Sequence, residues 1–122
     1  MANEISLDIS FSATKSGASV SFANRKFFNM TGVNMFQGTQ LLSNSSVDQI
    51  DFGSVGGVPR TVIIKNLSPT NYVFIGGDDT LSSWGIKILP NDCCMLSPTQ
   101  SLLYGTSESS SSLIQVIAVE DD

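Results

Sequence analysis

From residue 60 to residue 119 the chain is a succession of short apolar runs, "RTVIIKN", "NYVFIG", "WGIKIL", "CCMLS", "SLLYG" and "LIQVIAV", each closed by Gly, Pro, Asn, Asp or Ser. Side chains that branch at Cβ or carry a ring fit a pleated surface better than a helix, so these runs read as strands. Nowhere does a helical period persist for the roughly 11 residues that a helix of ordinary length needs. Breakers recur about every 8 to 12 residues, the rhythm of a sandwich or barrel. The expectation is an all-β fold, a single-domain β-sandwich or jelly-roll-like barrel over residues 1–122, with short strands and at most one helical turn.

The first half carries the same signal less evenly. "EISLDISFSA" sets Ile5, Leu7, Ile9 and Phe11 on one face and Ser6, Asp8, Ser10 and Ser12 on the other, the period of a half-buried strand. After Ser16-Gly17 the alternation resumes at Val20 and Phe22. A break near Asn24-Arg25, ahead of the adjoining Phe27 and Phe28, predicts a bulge or bend. In "MTGVNMFQGTQLLS" Gly32 and Gly38 permit a turn and a close approach. Val47 and Ile50 are spaced as in one helical turn over residues 46–51, capped by Ser45 or Ser46. "KNLSPTNYVFIGGDDT", residues 65–80, reads as a tight hairpin in which Ser-Pro-Thr-Asn turns the chain and Asp78-Asp79 hold the next loop in water. "TSESSSS", residues 106–112, reads as a surface loop too polar to bury.

Composition narrows the partners. A chain of 122 residues fits one domain, which buries roughly two-thirds of its extended surface. Only 14% of the residues are charged, where soluble domains carry about 25%, so Ser, Thr, Asn and Gln supply most of the polar surface. That pattern is common in extracellular and virion β proteins. A net charge of −5 argues against nucleic acid as a partner, because such binding rests on cation–phosphate contacts. The adjacent cations Arg25 and Lys26 read as a solvated strand end. No apolar run approaches the roughly 18 residues that span a bilayer, and "MANEISLDIS" lacks the basic start and apolar core of a signal peptide. The expectation is no membrane partner and synthesis in a cytoplasm.

The chain holds no His, which excludes the Ser–His and Cys–His forms of nucleophilic catalysis. Asp78-Asp79 with Asp92 or Asp51 offer the two carboxylates of a glycosidase, but adjacent acids diverge along a strand and cap the bend in a turn. "GGDDT" lacks the alternating acids of a calcium loop, and Gly76-Gly77 lacks the Lys-Ser/Thr of a phosphate loop. Two Cys without His make no ordinary zinc site. The expectation is therefore no catalytic residue, no metal and no cofactor. Cys93 and Cys94, as neighbours on a strand, point to opposite faces and read as free thiols, one in the core and one at the surface. Asn29-Met30-Thr31, Asn44-Ser45-Ser46 and Asn66-Leu67-Ser68 match the glycosylation triplet by chance in a chain without a signal peptide. Tyr72, Phe74, Trp84 and Tyr104 offer either a sugar-stacking platform or a protein interface, against the plainer alternative of core packing.

The opening "MANEISLDISFS", the central "NMTG", the segment "KNLSPTNYVFIG" and a β-rich C-terminal end with acids together resemble a group of small virion proteins of tailed bacteriophages, the head decoration or cement proteins. The likeness spans most of the chain, and Lys65 to Gly76 is its most specific part. It implies an all-β module that binds the major capsid protein on the outside of the head, made in the host cytoplasm and located on the virion. The chain departs from the pattern in carrying no recognisable extended arm. Its first and last strands hold few Lys to blunt edge pairing, so a homo-oligomer is expected, with a trimer preferred because shells offer threefold positions. The candidate interface is Ile5, Leu7, Ile9, Phe11, Tyr72, Phe74, Trp84 and Tyr104. The alternative is a receptor- or carbohydrate-binding module of a phage head or tail fibre, contacting host sugars through Tyr72, Trp84 or Tyr104.

Overall fold

The structure, a computed structural model, describes residues 5–28, 34–82 and 84–120. Strict alternation on both sides of Ser16-Gly17 produces a long antiparallel ribbon of β1 (Ile5–Lys15) and β2 (Ala18–Phe28). Ser16 and Gly17 both take positive φ, 52° and 85°. That is the turn whose twist matches the flanking strands, and Gly17 enters it without a Cβ penalty. The register runs unbroken from Ile5↔Phe28 to Lys15↔Ala18. The predicted bulge at Asn24-Arg25 is therefore absent: Arg25 lies opposite Asp8 and donates to its carboxylate, which keeps the two strands in step.

The contacts of the chain fall into two compact units, Met1–Thr31 and Gly32–Asp122. The second unit contains β3 (Met35–Leu42), β4 (Asp48–Gln49), β5 (Thr61–Asn66), β6 (Val73–Gly76), β7 (Gly85–Ile88), β8 (Cys93–Leu96), β9 (Tyr104–Ser107) and β10 (Ser112–Val119). They form two four-stranded sheets ordered β3-β10-β5-β8 and β4-β9-β6-β7. All paired neighbours are antiparallel. The chain changes sheet at every connection except β6 to β7, the connectivity of a double-sheet jelly roll. The fold is the all-β sandwich that the short strands predict.

Between the sheets lies one apolar core. Leu42, Val62, Ile64, Ile114, Val116 and Ala118 from the first sheet meet Val73, Ile75 and Ile88 from the second, with Ile50 and Leu103 from the links. Alternation selects these positions, since on β10 Ser112, Ile114, Val116 and Ala118 are buried while Leu113 stands outside. Gly38 does not turn the chain; β3 runs through it, and the Phe36 ring occupies the space its missing side chain leaves.

Three other expectations fail for one reason, that connections here pass between sheets. Lys65–Gly76 is no hairpin, because β5 and β6 lie in different sheets and Ser-Pro-Thr-Asn carries the chain across. The predicted helical turn at Ser46–Asp51 is instead a bend followed by β4, whose Asp48 and Gln49 pair with Gly105 and Tyr104. Ile50 is buried by this crossover, which reproduces the spacing that suggested a helix. Of the tract 106–112 only residues 108–111 form the exposed loop. Ser107 and Ser112 are buried in opposite sheets with their hydroxyls 2.6 Å apart, so a hydrogen bond makes their burial tolerable. The triplet Asn29-Met30-Thr31 and the acids Asp121 and Asp122 lie outside the described residues.

Buried polar groups gather where these crossovers meet. Asn66, fully buried, donates through Nδ2 to the carbonyls of Asn71 (2.7 Å), Ile88 (3.1 Å) and Leu89 (3.3 Å), while its Oδ1 accepts from the Ser68 amide. Its amide nitrogen is thus committed inside the fold, and the Asn66 triplet offers no glycosylation site in the folded chain. Asn71 in turn bonds Ser109 and Ser110 of the loop before β10.

Candidate interaction surfaces

The ribbon separates its residues by chemistry. Ile5, Leu7, Ile9, Phe11 and Ala13 of β1 share a face with Val20 and Phe22 of β2, a face also occupied by Lys15, Asn24 and Lys26. The other face carries Ser6, Ser10, Ser12, Ser19, Ser21 and the Asp8–Arg25 ion pair, with Ala23 and Phe27 among them. The alternation is as predicted, but of the four apolar residues of β1 only Ile5 and Leu7 are half-buried; Ile9, Phe11, Val20 and Phe22 are 42%, 58%, 61% and 57% exposed. Two strands have one layer only, and within such a ribbon nothing lies over the apolar face.

The aromatic candidates gather on the second sheet. Tyr72 and Phe74 meet edge to face with centroids 5.2 Å apart, and the Lys87 ammonium sits 4.3 Å over the Tyr72 ring, a cation–π contact. Phe74 pairs across the sheet with Thr106 and Lys87, and Tyr104 pairs with Gly76 on the same outward side. The core-packing alternative is thereby overturned for these rings, because Tyr72 and Tyr104 are half-buried while Phe74 and Trp84 are more than a third exposed.

Trp84 precedes β7, and its indole lies against Gly77 where any side chain would collide. Beside it opens a cleft of about 340 Å³ lined by Gly77, Asp78, Asp79, Gln100, Leu102 and Tyr104, among others. Gln100 closes one wall by donating to the carbonyls of Gly77 and Leu102. The Asp78 carboxylate accepts from the amides of Thr80 and Ser82 and from both hydroxyls, which holds Leu81 at a φ of 55°. The paired acids thus differ in role: Asp78 organises the turn, while Asp79 faces water at the cleft. Among the described residues no group of three or more Cys, Asp or Glu is arranged to hold a metal ion.

Cys93 is exposed and Cys94 is half-buried against the core, both as free thiols. Burial pushes the Cys94 thiol above its ordinary range, helped by neighbouring Cys93 and opposed by a hydrogen bond with the Ile64 backbone.

One surface was missed from the sequence. The outer face of β3-β10-β5-β8 exposes Met35, Leu41, Met95 and Leu113, with Ile63 and Ile117 half-buried between them. Leu41 lies opposite Leu113 towards one end of the face, and Ile63 lies opposite both Ile117 and Met95 further along, with the polar row Thr39, Gln115, Lys65 and Cys93 between the two groups. The signal was present: "LIQVIAV" and "TVIIK" are apolar on both faces, where a strand with one solvated face alternates.

The fold and these surfaces define an all-β sandwich protein with exposed apolar residues on its ribbon and on its β3-β10-β5-β8 face, and an aromatic face bordering a polar cleft. Comparison with protein-family models, curated proteins and solved structures gives no match to the chain.

Proposed function

We propose that the chain is a structural virion protein, a decoration or cement protein that binds the major capsid protein on the outside of a phage head and stabilises the shell. The observation that carries the reading is the extent of exposed apolar surface on a sheet-rich chain, on the ribbon and on the β3-β10-β5-β8 face. Large apolar side chains grouped on exposed faces mark protein contact. The strand order adds an analogy at the level of fold, since double-sheet jelly rolls recur in viral capsid and lectin domains. A net charge of −5 suits the outside of a DNA-filled head better than its lining. On a lattice many copies engage together, so weak single contacts suffice, and a trimer matches the threefold positions. The reading assigns the chain no catalytic role.

The test mixes purified protein with capsids that lack it. Saturable binding in register with the capsid symmetry and greater resistance of the shell to heat or denaturant are expected; failure of both overturns the reading.

A second reading is favoured by the cleft beside Trp84, where a ring, a free carboxylate at Asp79 and the Tyr104 phenol border one opening. A carbohydrate-binding module of a head or tail fibre would use such a site, stacking a sugar ring on an aromatic and bonding its hydroxyls to the acid. Glycan binding lost on Trp84→Ala, together with a low copy number per particle, would favour this second reading.

A further inference from the structure

We propose that β3 pairs antiparallel with β3 of a second copy of this chain across a two-fold axis at Gly38, joining two four-stranded β3-β10-β5-β8 sheets into one. The proposal concerns the chain alone and requires neither the capsid reading nor a threefold grouping.

The two sheets of the sandwich end in four edge strands, and three of these are blunted. β4 has only two residues; β7 has four, with Lys87 among them; β8 has four, preceded by Pro90 and Asp92 and followed by Pro98. Short length, charge and proline are the devices that keep an edge from pairing. β3 has none of them. Its eight residues, "MFQGTQLL", hold no charge and no proline, and every one of them pairs with β10 without a bulge.

In an antiparallel pair alternate residues exchange both main-chain bonds. The Asn34 carbonyl accepts from the Glu120 amide one step beyond Met35↔Val119, so Phe36, Gly38, Gln40 and Leu42 are the residues that exchange bonds with β10. The amides and carbonyls of Met35, Gln37, Thr39 and Leu41 therefore point out of the open edge. Among the described residues no strand lies on that side, and these four residues are exposed.

The order of side chains along that edge selects its own copy. Met35, Gln37, Thr39 and Leu41 read apolar, polar, polar, apolar, a palindrome about Gly38. Pairing with Gly38 opposite Gly38 sets Met35 against the second copy's Leu41 and Gln37 against its Thr39, each twice by symmetry. These are the pairs that exchange both bonds, so all four edge amides and all four edge carbonyls of each copy find partners. A shift of two residues either way sets an apolar side chain against a polar one and leaves Met35 or Leu41 unpaired. No like charges meet across the axis, because the strand carries none, and the net charge of −5 on each copy acts only through screening solvent. A two-fold contact uses the same edge on both copies and closes at two. One strand edge is a small interface held by main-chain bonds, so the dimer is reversible and concentration-dependent.

The experiment combines sedimentation of the purified full chain across concentration with amide hydrogen exchange read residue by residue. The expected result is a monomer–dimer equilibrium. The amides of Met35, Gln37, Thr39 and Leu41 should exchange fast in dilute protein and slow as dimer forms, while those of Phe36, Gly38 and Gln40 are slow throughout. Gln37→Lys with Thr39→Lys sets like charges opposite one another in the cross-strand pairs and is expected to leave monomer at concentrations where wild type is dimeric. Gln37→Glu with Thr39→Glu should do the same, and mixing the two variants should restore the dimer, because each Lys then faces a Glu. Both positions are exposed, and near-ultraviolet circular dichroism of Trp84 checks that the sandwich stays folded. A wild-type chain that is monomeric at its highest soluble concentration overturns the proposal, as does a dimer in which the four edge amides stay unprotected or which survives the Lys pair. Failure of the mixed variants to associate overturns it as well. Slow exchange of the four amides in the monomer has the same force, since the edge would then be covered within one chain.

Discussion

Asn66 shows how a single polar side chain fixes a crossover. Its amide reaches three carbonyls, Asn71 and Leu89 in two links and Ile88 at the end of β7, and each would be left without that donor if the side chain were cut back. Asn66→Ala is expected to cost about 2–3 kcal/mol in denaturant unfolding, the usual penalty for orphaned buried acceptors. Asn66→Asp should be worse at neutral pH, because a carboxylate would face those same carbonyls. Cys94 supplies a pH dependence. The folded state holds its proton more tightly than the unfolded chain, whose thiol ionises near 9.0. Stability from this group is full below that pH and declines as pH rises above it, until the native thiol also ionises. Urea midpoints measured from pH 7 to pH 10 should fall for wild type, and Cys94→Ala should flatten the alkaline part of the curve.

Strand β10 tests the division of faces within one element. Ile114 is fully buried between the sheets, and the adjacent Leu113 is 43% exposed. Ile114→Ala is expected to cost about 3 kcal/mol through lost burial and a residual cavity. Leu113→Ala should stay within about 1 kcal/mol in dilute protein, as surface changes do. Equal losses at the two positions would mean that the outer face is covered within the single chain. The ribbon teaches the complementary lesson: β1 alternates as cleanly as β10, yet alternation reports which side chains share a face and not whether anything covers it.

At the scale of the molecule, charge is divided unevenly, with a mildly basic ribbon and an acidic sandwich. Counterion release needs a cluster of cations, and on the ribbon Arg25 is paired with Asp8 while Lys15 lies at the turn, at the far end from Lys26. Duplex DNA of mixed sequence is therefore expected to migrate unshifted with the protein even at low salt. A salt-sensitive shift would reassign the ribbon to phosphate contact.

What the sequence determined by itself was local: extended backbone in short runs, the turn at Ser16-Gly17, the opposite facing of Cys93 and Cys94, and the place of Asp78-Asp79 in a turn. Each follows from side-chain shape, backbone permissiveness or a period of two, all properties of a few adjacent residues. Which strands share a sheet was decided only by the tertiary structure. The segment Lys65–Gly76 looks locally like a hairpin, and a turn that reverses the chain within one sheet differs little in sequence from one that crosses to the next. The difference lies in distant partners, the carbonyls of Ile88 and Leu89 that Asn66 meets and the serines of the 108–111 loop that hold Asn71. The candidate surfaces were half legible for the same reason. Ile9, Phe11 and the rings of the second sheet could be named from pattern, but their exposure, and that of Met35, Leu41, Met95 and Leu113, exist only once long-range pairing has chosen which apolar residues the core takes in.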